Sequence, residues 1–174
     1  MRGLGNLFDL TQGINLVTDL AAGANTGKRV HMRNYQTFGC LFYKDAASAG
    51  TDTVTLTLNE HDAASSGNTN ALAKITDYYY KSTAAALAGT EVWTEGTQAA
   101  ASTLALTNAI VPAANQAMVF FEVEADMLSS SAFQWLSVSI ADPGSAGTIR
   151  GGVFYVMSGL KIQRNPNLLA QPNL

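Results

Sequence analysis

The sequence predicts an all-β fold, an antiparallel two-sheet β-sandwich of jelly-roll type carrying extended N- and C-terminal arms. One sign is alternation. In "DTVTLTLNE", Val54, Leu56 and Leu58 alternate with Thr53, Thr55 and Thr57, the period-two pattern of a half-buried strand. Another is punctuation, because such runs are short and are separated by the turn clusters "KDAASAGTD", "HDAASSGNTN" and "ADPGSAGT". Only "EADMLSSSA" reads as a helical turn. Many short strands with turn-rich connections indicate a sandwich or barrel, and jelly-roll connectivity fits the count better than an immunoglobulin-like order.

Eight strands are expected. Residues 28–34 open the domain and hold the one dense basic group, Lys28, Arg29 and Arg33, expected at a strand edge or against an acidic neighbour. Residues 37–44, "TFGCLFYK", form an apolar run in which Cys40 reads as a buried, inert thiol. Residues 53–60 follow with their Val/Leu and Thr faces. Residues 73–81 contain Tyr78, Tyr79 and Tyr80; alternation sends Tyr79 to the face opposite the other two, so at least one ring packs inside with Ile75 and Trp93. Residues 91–97 carry Trp93 and pair with the tyrosine strand across the alanine-rich "TAAALAGT". In 117–124, Phe121 and Val123 point in while Glu122 and Glu124 point out. In 134–141, Leu136, Val138 and Ile140 point in while Ser137 and Ser139 face solvent. Residues 150–163 form the last strand, interrupted near Gly159.

The 174 residues suffice for one domain with a single core, expected at 28–164 between an N-terminal arm at 1–27 and a C-terminal arm at 165–174. Charged residues are 13% of the chain against about a quarter in typical domains. Much of the surface must then be small and neutral, which loses little side-chain entropy and meets little charge repulsion when covered by a partner. A formal charge of -3 argues against a surface that tracks phosphates, so no direct nucleic-acid binding is expected. The first twenty residues lack a signal-peptide pattern and no apolar run is long enough to cross a bilayer, so a soluble protein made in a cytoplasm is expected.

Leu7, Phe8 and Leu10 in the first arm and Leu168 and Leu169 in the last are too apolar for free linkers, so the arms are expected to dock on a neighbouring subunit, with folding back onto their own domain the alternative, above all for the first. Together with Tyr79 and Trp93 they are the candidate interface residues. Catalytic and metal chemistry find little support: one cysteine and two histidines cannot supply a spaced ligand set, and no cofactor is expected. In "NEHDAA", Glu60, His61 and Asp62 resemble an acid–base cluster but read as a solvated strand end. The "TGK" of "GANTGKRV" lacks the spacing of a phosphate loop. A carbohydrate platform of Trp93, Trp135 and Tyr78–Tyr80 with Asp77, Glu91 and Glu95 is the alternative to a protein interface.

The order of the segments "GNLFDLTQGIN", "TGKRVHMRNYQTFGCLFYKDAASAGTDTVTLTLNEHDAASSG", "LAKITDYYYKS", "LAGTEVWTEGTQAAA" and "FEVEADMLSSSAFQWLSVSIADPGSAGTIRGGVFYVMSGLKIQRNP" resembles small virion structural proteins of tailed double-stranded DNA bacteriophages, over nearly the whole chain. Capsid decoration, or cement, proteins are the best understood comparison. The resemblance implies a β-rich subunit, often trimeric, that binds the exterior of a shell of major capsid protein and reinforces it. It brings no catalytic residues. A connector or tail component is an alternative within the same resemblance.

Overall fold

The computed structural model describes residues 7–48, 53–82, 86–144 and 147–162. Within them the strands are β1 (Phe8–Asp19), β2 (Asn25–Thr26), β3 (Val30–His31), β4 (Thr37–Lys44), β5 (Val54–His61), β6 (Thr69–Ala71), β7 (Ile75–Lys81), β8 (Thr94–Ala101), β9 (Thr103–Leu106), β10 (Ala117–Glu124), β11 (Trp135–Ile140) and β12 (Arg150–Ser158). The first sheet has the order β1-β12-β4-β10-β7-β8. The second runs β2-β11-β5-β6, with β3 also on β11 and β9 also on β5. All pairings are antiparallel, and they nest: β1 with β12, β2 and β3 with β11, β4 with β10, and β5 with β6 and β9. First strand on last, second on second-to-last and so inward is the winding of a jelly roll, so the chain is an all-β two-sheet sandwich of that connectivity. The β7–β8 hairpin is inserted between β6 and β9 and widens the first sheet.

The inner faces meet in one core. Phe38, Cys40, Phe42, Val119, Phe121, Val153, Tyr155 and Met157 come from the first sheet, and Leu56, Leu58, Leu104, Leu136, Val138 and Ile140 from the second. Tyr155 ties the two together: its hydroxyl accepts from the backbone N–H of Val138 at 2.9 Å. Gly13 and Gly27 make room for it, since a Cβ at either position would collide with the Tyr155 side chain, and at Gly27 also with the Val138 carbonyl. The glycine of "TGK" thus serves packing. At the end of β4 the buried Lys44 ammonium donates to the carbonyls of Pro112, Ala113 and Asn115 at 3.2, 3.0 and 2.6 Å, which fastens the loop between β9 and β10 over the core. Burial lowers its pKa to about 8, so it stays mostly protonated at neutral pH.

Several expectations change. The domain does not begin at residue 28: residues 8–19 form the edge strand β1, and Ile14 and Leu20 are core residues. Register shifts between Gln12 and Ile14 and between Ile14 and Thr18 reset which face each residue takes, so this strand shows no lasting alternation in sequence. The strand expected at 28–34 shrinks to β3, because Met32–Asn34 turn into a 3-10 segment capped by His31, whose Nδ1 accepts from Arg33 N–H at 2.9 Å. The strand at 91–97 lies at 94–101, leaving Trp93 before it. The last strand ends at Ser158, where Gly159 takes φ +63°, and the helical turn is a 3-10 turn at Ala125–Met127. The expected C-terminal arm lies outside the described residues.

Candidate interaction face

Period two gives each strand two faces, and the two sheets use their outer ones differently. On the second sheet the outward residues are hydroxyl-rich, with Thr55, Thr57 and Asn59 on β5 facing Ser137 and Ser139 on β11. On the first sheet both faces are apolar. Strand β4 sends Phe38, Cys40 and Phe42 inward and Leu41 and Tyr43 outward; β10 sends Val119 and Phe121 inward and Met118 and Phe120 outward; β12 sends Val153, Tyr155 and Met157 inward and Phe154 and Val156 outward. Strands apolar on both sides are characteristic of sheets covered on both sides.

The register assembles these outward side chains into rows. Tyr79, Phe120, Leu41, Phe154 and Gln12 stand side by side. On one flank lie Glu122, Gly39, Val156 and Leu10, with the Phe120 ring lying close over Gly39; on the other lie Lys81, Met118 and Tyr43. Leu41, Tyr43, Met118, Phe120, Phe154 and Val156 are all half-buried, and none packs against the core. Leu10 and Tyr79 are 53% and 37% exposed. The result is one continuous apolar band across the sheet, with Glu95, Glu122 and Glu124 as carboxylates on the same face.

Three of the expected interface residues fall in this band or its border: Leu10 and Tyr79 within it, and Phe8 opposite Ser158 at its end. Leu7 is exposed just before β1. Trp93 is 44% exposed and does not join Ile75 in the core; it lies beside the band, with the Lys81 ammonium 5.0 Å from its ring centroid. The interior role falls to Tyr78, which is buried, and to Tyr80, which packs against the core. Leu168 and Leu169 lie outside the described residues. Leu41, Phe120, Phe154 and Val156 were missed. Their signal was the unbroken apolar runs "CLFY", "MVFF" and "VFYVM", which leave no polar face for a one-sided sheet.

Glu60 and His61 are not solvated. Glu60 is 1% exposed and accepts from the backbone N–H of Ser129 at 2.9 Å and from its hydroxyl. His61 is 3% exposed; Nε2 bonds Ser137 Oγ and Nδ1 bonds Thr69 Oγ1, each at 2.8 Å. Burial, with help from the charge of Arg29, lowers the His61 pKa to about 4, so the ring is neutral at pH 7. Ser137, expected in solvent, lies on the outer face but beneath this ring and is 1% exposed. A serine–histidine pair is the start of a nucleophilic site, but here a threonine hydroxyl stands where an orienting carboxylate would, and the serine oxygen is covered. The cluster joins β5, β6 and β11. Arg29 donates to the carbonyls of Ala63 and Ser66 at 2.8 and 2.7 Å, a structural use of the basic group.

Cys40 is fully buried, and burial raises its thiol pKa far out of the reactive range. Among the described residues no three His, Cys, Asp or Glu side chains are placed to hold a metal ion, and no helix is long and apolar enough to cross a membrane. No protein family, curated protein or solved structure matches the chain.

Proposed function

We propose that this protein is a non-enzymatic structural component of a tailed-phage virion that binds the assembled capsid as a decoration, or cement, protein, working as a homo-oligomer, with a trimer favoured, on a shell of major capsid protein. The observation that carries the reading is the two-sided apolar first sheet, a surface suited to being covered inside an assembly. The low charge of the chain and the resemblance of its segment order to virion structural proteins support the same conclusion. Jelly rolls serve in capsids and in lectins alike, so the fold alone does not choose between them. The carbohydrate platform ranks second, because Trp93 already carries a lysine over its ring, Tyr78 is buried, and the exposed band is aliphatic and aromatic with few polar groups among it. Mechanistically, each copy that binds the shell and not its free subunits adds its binding free energy to the shell's stability.

The test is the copy number of the chain in gradient-purified virions relative to the major capsid protein, by quantitative mass spectrometry. Near-equal abundance is expected. A dozen or fewer copies, an order-of-magnitude figure set by portal and tail symmetry, would move the protein to the connector or tail. Tyr79→Ser and Trp93→Ser, both outside the core, are expected to change folding stability by about 0.5 kcal/mol or less while lowering incorporation.

A further inference from the structure

We infer that the apolar outer face of the first sheet is the receiving surface for residues 163–174 of a neighbouring copy, so that copies are joined by exchanged C-terminal segments. The inference rests on the reading that the chain works in an assembly, and it names what covers the face.

Four observations support it. The band needs an apolar occupant, and "QRNPNLLAQPNL" offers Leu168, Leu169 and Leu174. The carboxylates beside the band, Glu95, Glu122 and Glu124, outnumber Lys81 on the same face and favour a cationic occupant over a second acidic face; the segment carries Arg164 and no acidic residue. Pro166 and Pro172 bar a regular helix and favour an extended path. Twelve extended residues reach about 40 Å, whereas six strands at about 4.8 Å spacing span about 24 Å, so the segment can cross the sheet.

The place where the described chain ends favours a neighbour's face over its own. After β12, Gly159 at φ +63° turns the backbone, Leu160 packs against the core, and Lys161 N–H bonds the Asn34 carbonyl at 3.0 Å. Lys161 then lines clefts with Met32, Phe133 and Gln134 on one side and with Gln36 and Glu124 on the other, and Ile162 lies beside Arg33 and Asn34. The described chain therefore ends at the end of the sandwich, beside Arg33 and Asn34, and not over the row of Leu41, Phe120 and Phe154. From that end, a stretch of twelve residues is long enough to reach the next molecule.

The test uses the full chain with two single-cysteine reporters, Cys40 being buried and unreactive. Tagged protein carrying Phe154→Cys is mixed with untagged protein carrying Leu169→Cys and treated with a short bismaleimide. The expected product is a tagged–untagged cross-link, reduced about tenfold or more by adding Leu168→Asp, as the loss of one buried leucine implies. Cross-linking of Phe154→Cys protein to itself would overturn the inference in favour of face-to-face pairing. So would closure within a single chain carrying both cysteines, which would place the segment on its own face, and so would no cross-link in any arrangement. Because the measurement is made on purified protein, its outcome is independent of whether the chain is found in virions.

Discussion

His61 shows how a single side chain sets the response of the fold to acid. Buried between Thr69 and Ser137, its ring is held neutral until about pH 4, while in the unfolded chain it titrates near 6.5. As pH falls through that window the unfolded state takes up a proton that the folded state refuses, so stability must decline from about pH 6.5 toward about pH 4. In His61→Gln that share of the decline should vanish. Urea unfolding of both proteins at about pH 7 and about pH 5 checks this, and equal losses in the two would contradict it. None of this was legible in "NEHDAA". Period two correctly separates His61 from Glu60 and Asp62, but it does not say that the Ser129 loop covers one face and that Thr69 and Ser137 bracket the other.

At the scale of elements, the strands of the second sheet were legible because their outer face is polar, so alternation marks them directly. The inner strands of the first sheet were legible as strands, yet their outer faces were not legible as a site: consecutive apolar residues do not say which side lacks cover. Strands β6 and β9, three and four residues long, are too short to show a period. β1 was hidden by its register shifts and was read as an arm. Its place in the sheet gives an opposite expectation to that reading. Gly13→Val should destabilise the isolated protein by about 1–3 kcal/mol through collision with Tyr155, measured by chemical denaturation; a neutral effect would show that β1 does not depend on that packing.

For the whole molecule, one face is apolar and the other carries hydroxyls, with a formal charge of only -3 to keep copies apart. Association through the apolar face should survive at about 1 M salt, where the Debye length is about 3 Å, and should tighten in ammonium sulfate. Sedimentation velocity across that range measures it, and dissociation at high salt would point to contacts dominated by charge. The nested winding also governs when the molecule can become itself. Phe8 pairs with Ser158, and β12 lies between β1 and β4, so the edge strand β1 is cut off from the rest of the first sheet until the last described strand has emerged from the ribosome. During synthesis the doubly apolar strand β4, which β10 covers on one side, waits on the other for a partner encoded more than 100 residues later, as the pairing of Lys44 with Gly151 shows. Such distant pairings fold slowly. Until β12 arrives, the open edge of β4 is a surface on which wrong pairings can form.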